Sequence, residues 1–145
     1  MAEMGNAEAM TTVAFMFSVG EGIEENINEA IYWYKQAAEL EYSDAICNLG
    51  FLYIYKTEII VDKITDKKDH SDISEENFKE IATRIITKKG LKFLKKAVEL
   101  GNTQAMCLLA ECYLNGRGVK EDHDTAFEYY EQAADLGNQG AMMAL

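Results

Sequence analysis

The sequence contains no proline, few basic residues and no long apolar run. The absence of proline favours long, uninterrupted helices. No apolar run approaches the roughly 20 residues of a membrane-spanning helix, so we expect no contact with a membrane. The N-terminus shows no basic leader followed by an apolar stretch, which predicts a cytoplasmic protein. A fragment would have lost such a leader, so secretion stays open if the chain is one.

Cysteine is also scarce. The chain has three cysteines, an odd number, and no C-x-x-C motif. Cys47 and Cys107 occupy the same phase of the repeat described below, so we expect them to stand about one repeat apart, beyond disulfide reach. Cys112 follows Cys107 on the same helix and points elsewhere. This pattern favours reduced thiols in a cytosol-like compartment.

Basic residues are outnumbered throughout most of the chain. The sequence has 14 Lys and Arg against 25 Asp and Glu, a net charge of −11. Residues 1–55 hold nine acids and one base, whereas residues 56–90 hold eight of each. A nucleic-acid-binding protein needs a basic stripe for the phosphates, so we do not expect nucleic acid as a partner. A protein partner with a basic surface is compatible with the charge, although solubility is the simpler explanation.

The sequence does contain an internal repeat. Residues 105–137 align without a gap with residues 9–41, and Gly101 and Gly137 are 36 residues apart (137 − 101 = 36). A repeat period of this size is typical of stacked supersecondary units and not of a domain with one central core. It favours a binding scaffold over an enzyme.

A middle copy of the repeat carries an insertion. It begins at Glu41, and its second half returns at residues 90–101. Glu41 and Gly101 are 60 residues apart (101 − 41 = 60), so this copy has 24 extra residues (60 − 36 = 24). We therefore expect a single repeat domain over residues 1–145, with repeats at about 5–40, 41–100 and 101–136, an insertion near 57–89 and partial units at 1–4 and 137–145.

One unit predicts a helical hairpin. In the last copy, an apolar stripe at helical spacing is followed by a glycine-containing turn, Asn115 to Gly118. Asp122 or Asp124 can cap the second helix, and Gly137 ends it. The two stripes consist of Ala105, Leu109, Ala110 and Tyr113 in the first helix and Ala126, Tyr129, Tyr130, Ala133, Ala134 and Leu136 in the second.

These residues form the pattern A-x-x-x-L-A/G-x-x-Y-x-x-G-x-G-V followed by A-x-x-Y-Y-x-x-A-A-x-x-G, which resembles the Sel-one-like repeat, a relative of the tetratricopeptide repeat. The resemblance covers residues 101–137 fully, 5–41 well, and 41–55 with 90–101 in part. It implies an all-α fold, a right-handed α/α superhelical solenoid whose first helices line the concave side. It also implies the usual role of the family, an adaptor for protein–protein interaction.

The middle copy departs from this pattern at its turn. Lys56-Thr57-Glu58 replaces Gly-x-Gly, and Gly90 replaces the first alanine of the second helix. Because nothing stops the first helix at Tyr55, we expect both helices of this copy to be extended by about ten residues, or about 15 Å. The alternative is a disordered loop from about 57 to 74. In the extended form, Ile59, Ile60 and Ile64 continue the first helix, Asp66 to Asp72 form a polar tip and Ser74 caps the second helix. The inward-facing residues of that helix are then Phe78, Ile81, Ile85 and Ile86.

The sequence offers little catalytic or metal-binding chemistry. The Gly-x-Gly pairs recur at one repeat phase without a preceding strand, which favours hairpin turns over phosphate loops. The acidic group at Asp62, Asp66, Asp69, His70 and Asp72 lacks the EF-hand pattern and is interpreted as a solvated loop. His123 is interpreted as a surface histidine, and neither histidine has a fixed relation to a cysteine. We expect no enzymatic activity, no cofactor and no bound metal.

A helical wheel divides each first helix into a core face and an opposite face. In the third copy the opposite face holds Gln104, Cys107, Leu108 and Glu111, and the corresponding positions in the other copies include Cys47 and two aromatic residues. An exposed apolar floor with a polar rim is typical of a peptide-binding groove. Superhelix curvature could instead place both rings in the packing between repeats. The candidate partner-binding residues are Thr12, Phe15, Asn48, Phe51, Leu108 and Glu111.

The predicted function is therefore a non-catalytic adaptor that binds a partner peptide or domain on the concave surface of the first helices. The alternative is a structural segment of a larger or self-associating solenoid, stacked end to end as a homo-oligomer.

Overall fold

The computed structural model describes residues 2–66 and 74–145. Within these two ranges the chain is helical and contains no strand. The helices are α1 Ala2–Val19, α2 Ile27–Glu39, α3 Ser43–Tyr55, α4 Thr57–Thr65, α5 Glu75–Glu99, α6 Thr103–Asn115, α7 His123–Asp135 and α8 Gln139–Ala144.

The helices pair as antiparallel hairpins that stack on one another. The first hairpin is α1 with α2, the middle hairpin is α3 with α5, and the third hairpin is α6 with α7. Contacts between α2 and α3, and between α5 and α6, join successive hairpins, and α8 packs on α7. The predicted fold class, a right-handed α/α solenoid, is confirmed.

Side-chain caps and glycine turns set most helix ends. The carboxylate of Asp122 accepts a hydrogen bond from the amide of Thr125, so the first of the two predicted caps of α7 is the one used. Ser74 caps α5 in the same way, as the sequence predicts. Gly116 ends α6 in the left-handed conformation, with φ of 63°. Glycine adopts this conformation without the steric cost that a side chain would bring.

Asparagine caps also connect successive hairpins. The side chain of Asn102 caps α6 and donates hydrogen bonds to Ser43 Oγ and Asp44 Oδ1, at 3.2 and 2.8 Å. Asn138 caps α8 and donates to Thr103 Oγ1 at 3.1 Å. Each of these caps therefore fixes the start of one first helix against the start of the preceding one.

The first residues of the chain do not form the turn that the repeat alignment suggests. Residues 2–6 match residues 134–138, where Gly137 makes a turn with φ of 92°. In the structure, residues 2–6 are instead the first turns of α1, and Gly5 lies within the helix. The boundaries of the predicted units stay a prediction.

The inserted segment is a separate helix followed by a long one. The predicted extension of the first helix is wrong, because α3 ends at Tyr55 and Lys56 breaks the helix with φ of −112° and ψ of 22°. The hydroxyl of Thr57 donates to the carbonyl oxygens of Tyr53 and Ile54 and so satisfies the end of α3.

Helix α4 then packs on the N-terminal part of α5. Ile60 and Val61 of α4 are buried in one cluster with Ala82 and Ile86 of α5. The prediction that Ile81 and Ile85 face inward is wrong, because both are at least half exposed on the other side of α5. Helix α5 runs without a break for 25 residues, as the predicted extension of the second helix requires. Residues 57–66, part of the alternative loop, are mostly helical, whereas the predicted polar tip with Asp69, His70 and Asp72 lies outside the described residues.

Two glycines allow α3 and α5 to cross closely. A Cβ atom on Gly90 would lie 2.7 Å from Ile54 Cγ1 and 3.0 Å from the carbonyl oxygen of Gly50. A Cβ atom on Gly50 would lie 2.9 Å from the carbonyl oxygen of Gly90. Gly90 occupies the repeat position of Ala30 and Ala126, so its departure from the repeat pattern follows from the closer packing of the middle hairpin.

Candidate partner-binding groove

A cleft runs across α1, α3 and α6. Its volume is about 430 Å³, and its lining includes four of the six residues predicted for partner binding. We call this cleft the groove. Its lining consists of Phe15, Ser18, Val19, Glu25, Tyr34, Asn48, Phe51, Leu52, Lys56, Gln104 and Leu108.

The two phenylalanines of the groove keep much of their surface exposed. Phe15 is 48% exposed and Phe51 is 39% exposed. Phe51 also stacks on Tyr55, with ring centroids 4.7 Å apart. Neither ring is enclosed in the packing between hairpins, so the groove presents two aromatic surfaces one repeat apart.

The predicted groove residues differ in depth. Leu108 is only 6% exposed and lies in the core cluster between the middle and third hairpins. It therefore lines the groove with little accessible surface of its own. Asn48 is half-buried. Thr12 is exposed, and its hydroxyl donates to the carbonyl oxygen of Glu8 at 3.0 Å.

Thr12 lies in a second cavity that adjoins the groove. This cavity, of about 270 Å³, shares Phe15, Asn48 and Gln104 with the groove and adds Thr12 and Asp44 among others. The two cavities therefore extend the accessible surface from the middle of α3 towards the N-terminal ends of α3 and α6.

Glu111 lies beside the groove and not in it. Its carboxylate accepts a hydrogen bond from the hydroxyl of Tyr55 at 2.9 Å. Arg117 lies in the turn that follows α6, and its guanidinium is 4.6 Å from the centroid of the Tyr55 ring. Burial, and then this hydrogen bond to Glu111, raise the pKa of Tyr55, so the donor stays protonated. Glu111 thus joins α6 to α3 next to Phe51.

The helical wheel misplaced Cys47. This residue is 1% exposed and lies between hairpins, in one cluster with Ala105 and Leu108. An isolated wheel assigns one face to the core, but a helix inside a stack is flanked by a neighbour on each side. Burial raises the pKa of the Cys47 thiol to about 12, with further contributions from Asp44 and Cys107, so the thiol is neutral.

Several lining residues were not predicted from the sequence. Tyr34 of α2 is almost fully buried at the base of the groove, next to Ser18 and Asn48, and burial is the main cause of its raised pKa. Glu25 and Lys56 place one charge of each sign at the rim. The wheel considered first helices only and so omitted Tyr34. The sequence shows that Lys56 replaces a turn glycine, but the repeat pattern does not indicate that its side chain lies at the groove.

The described residues contain no cluster of metal-ligating side chains in or near the groove. Among them, no three histidine, cysteine, aspartate or glutamate side chains lie close enough together to hold a metal ion. His123 Nε2 lies 2.8 Å from Glu121 Oε1, and both side chains are exposed. The three cysteines are free. No helix in the described ranges is both long and apolar enough to cross a membrane.

Comparison with known proteins identifies the repeat. The family model of the Sel1 repeat matches residues 7–42, 87–102 and 103–138. No curated protein matches the chain. The family model leaves residues 43–86 unmatched, and this range contains the whole of α3, Lys56 and the inserted segment.

Solved structures share the fold. A Sel1 repeat protein from Oxalobacter formigenes superposes with a TM-score of 0.60 at 26% identity, covering 99% of this chain and 90% of that one. A protective antigen present in uropathogenic Escherichia coli strains, which displays an SLR fold, gives 0.65 at 25% identity; the match covers 97% of this chain but only 25% of the antigen. Cysteine-rich protein B from Helicobacter pylori gives 0.58 at 18% identity over 100% and 98% of the two chains, which shows the fold alone.

Proposed function

Because this chain belongs to the Sel1 repeat family, we propose that it is a non-catalytic scaffold whose groove binds a segment of a protein partner. Sel1 repeat proteins are generally protein-interaction scaffolds. The observation that carries the proposal is the pair of exposed phenylalanines, Phe15 and Phe51, at one cleft. Exposed aromatic surface in a concave site is typical of protein-binding surfaces.

The shape and chemistry of the groove favour a short segment with apolar anchors. Packed helices lie about 8–10 Å apart, and an extended chain rises about 3.3 Å per residue. Apolar side chains two to three residues apart in the partner would therefore reach Phe15 and Phe51. The amides of Asn48 and Gln104 can pair with the partner's backbone, and Glu25 and Lys56 can orient its ends.

A second candidate function is end-to-end association. Val13 of α1 is 36% exposed, whereas Leu49 and Leu109 at the same repeat phase are fully buried against a preceding hairpin. At the other end, Met142 and Met143 of α8 are 51% and 88% exposed. Both surfaces would be covered by a further repeat unit, from this chain's own copies or from a neighbouring segment.

The groove proposal can be tested with peptides selected on the protein itself by phage display. We expect the double substitution Phe15→Ser/Phe51→Ser to lower the affinity for the selected peptides by about tenfold or more, because it removes two central apolar anchors. Phe127→Ser is the matched control, since Phe127 of α7 is 50% exposed and lies outside the groove. Isothermal titration calorimetry gives the affinities, and circular dichroism checks the fold of each variant.

Two results would contradict the proposal. One is equal affinity of wild type and Phe15→Ser/Phe51→Ser, with both folded. The other is an equal loss for Phe127→Ser, which would show that exposed rings bind the peptides without a site. Light scattering of the free protein tests the second candidate: a monomer at high concentration excludes end-to-end association of copies.

A further inference from the structure

One stretch of this acidic protein carries positive charge alone. Residues 81–98 contain six basic residues and no acidic one, although the whole chain has a net charge of −11. The rest of the chain therefore carries −17 (−11 − 6 = −17). The entire stretch belongs to α5, the long second helix of the middle hairpin.

The helix places these charges on one exposed face. The buried residues of this part of α5 include Ile86, Gly90, Leu94 and Ala97, which recur at helical spacing and face the core. The opposite side is an exposed surface formed by α5 alone, where Ile85 and five lysines lie together, flanked by Leu91 and Phe93. We call this surface the lysine face: Ile85, Lys88, Lys89, Lys92, Lys95 and Lys96.

The lysines of this face are not neutralised within the described part of the chain. The described ion pairs involve Lys79, Arg84 and His123, and none reaches the lysine face. Lys89 instead lies 5.4 Å from the centroid of the Tyr53 ring. Ile85 is 61% exposed at the N-terminal end of the lysine face, one turn before Lys88 and Lys89. An exposed apolar side chain beside a row of like charges is suited to a partner that brings both apolar contact and opposite charge.

We propose that the lysine face docks an acidic amphipathic segment of a protein partner, with glutamate or aspartate against the lysines and an apolar side chain on Ile85. From Ile85 to Lys96 the face is about 17 Å long, at about 1.5 Å per residue. A helix of about three turns, with acids on one side, matches this length. The site is separate from the groove, which α1, α3 and α6 form, so one partner or two could engage the scaffold at once.

The short distance over which exposed charges interact favours a short segment over an anionic membrane as the occupant of the lysine face. At physiological salt, exposed charges interact over about 8 Å. A short segment on α5 therefore experiences the five lysines and little of the acidic remainder. A membrane surface extends past α5 and would also meet the acidic first hairpin and α3, since residues 1–55 carry −8.

The test uses a fluorescent helical peptide with glutamates on one face and a leucine near one end of that face, measured by anisotropy on the full chain. We expect Lys88→Gln/Lys92→Gln to weaken binding about fivefold, because two attractive charge contacts are lost. Lys35→Gln/Lys120→Gln changes the net charge equally at exposed positions elsewhere and should leave the affinity unchanged. Ile85→Ser should weaken binding, whereas Ile81→Ser, 50% exposed and outside the lysine face, should not.

The same variants separate the other occupants. An equal loss of affinity in Lys88→Gln/Lys92→Gln and in Lys35→Gln/Lys120→Gln would overturn the proposal. So would the absence of any binding of the glutamate peptide. Binding to vesicles of phosphatidylserine and phosphatidylcholine without binding to the peptide would assign the face to a membrane. Self-association that Lys88→Gln/Lys92→Gln abolishes, with no peptide binding, would assign it to a second copy. Both of these results would also overturn the proposal.

Discussion

The middle hairpin and its two neighbours use the same repeat positions for different purposes. At the positions equivalent to the crossing of α3 and α5, the first hairpin has Ala14 and Ala30 and the third has Ala110 and Ala126, all fully buried. In the middle hairpin glycines stand at both crossing positions, and the second helix is 25 residues long against 13 in α2 and α7. The repeat therefore preserves where helices cross, while the middle copy changes how closely they approach and how far they reach.

The turns differ in the same way. The first and third hairpins turn through Gly-x-Gly, whereas the middle hairpin uses Lys56 and continues into α4. The turn of the third hairpin also rests on the long helix, because Gly118 faces Thr87 and Leu91 of α5. The middle hairpin thus supports its neighbour, and substitutions at equivalent positions should have unequal effects.

The largest loss of stability is expected at Gly118, the second glycine of the turn in the third hairpin. Gly118→Ala should lower the free energy of unfolding by about 2–4 kcal/mol, since it adds left-handed strain and overpacking. Its Cβ would lie 2.5 Å from Thr87 Cγ2. Gly22→Ala is the control: its φ of 77° brings the same strain, but the nearest atom is 3.9 Å away. Urea unfolding should place Gly22→Ala between wild type and Gly118→Ala, and equal losses would contradict the packing of this turn on α5.

A smaller effect of the same kind is expected at the helix crossing. Gly90→Ala should destabilise the protein by about 1–2 kcal/mol, because overpacking against Gly50 and Ile54 exceeds the gain in helix propensity. Gly5→Ala in α1 meets nothing within 4 Å and should be neutral or slightly stabilising. The comparison uses thermal unfolding of both variants. A stabilised Gly90→Ala protein would show that α3 and α5 have room for a methyl group.

The smallest predicted effect is a gain in stability where the middle hairpin begins. Glu41 has φ of 57°, whereas glycine occupies the equivalent turns at Gly101 and Gly137. Glu41→Gly should stabilise the protein by about 0.5–1 kcal/mol, since it relieves left-handed strain at some cost in unfolded-state entropy. Gly101→Ala should have the opposite sign. Loss of stability in Glu41→Gly would mean that the Glu41 side chain makes contacts that outweigh the strain.

Local chemistry made much of this fold predictable from the sequence. The apolar stripes, the Gly-x-Gly turns and the caps at Ser74 and Asp122 each follow from nearby residues, and the structure contains them. The break at Lys56 was not predictable in this way. It depends on α4 packing against α5, and no pattern in the sequence indicates that these two segments are in contact.

The groove was predictable only in outline. Repeat phase brought Phe15 and Phe51 together because equivalent positions of stacked hairpins lie side by side. It could not place Tyr34, which reaches the groove from a second helix, or show that Cys47 is enclosed by its neighbours. The lysine face was hidden for a different reason, since charge sums over long segments combine α5 with the acids on either side of its lysines.

Amide hydrogen exchange of the protein with and without a groove-selected peptide tests the central claim most directly. Bound peptide should slow exchange in residues 11–19 of α1 and 47–55 of α3, where Phe15 and Phe51 lie, and leave α7 unchanged. Protection confined to α7 or α5, or an exchange pattern in α1 and α3 that the peptide does not alter, would contradict a partner site in the groove.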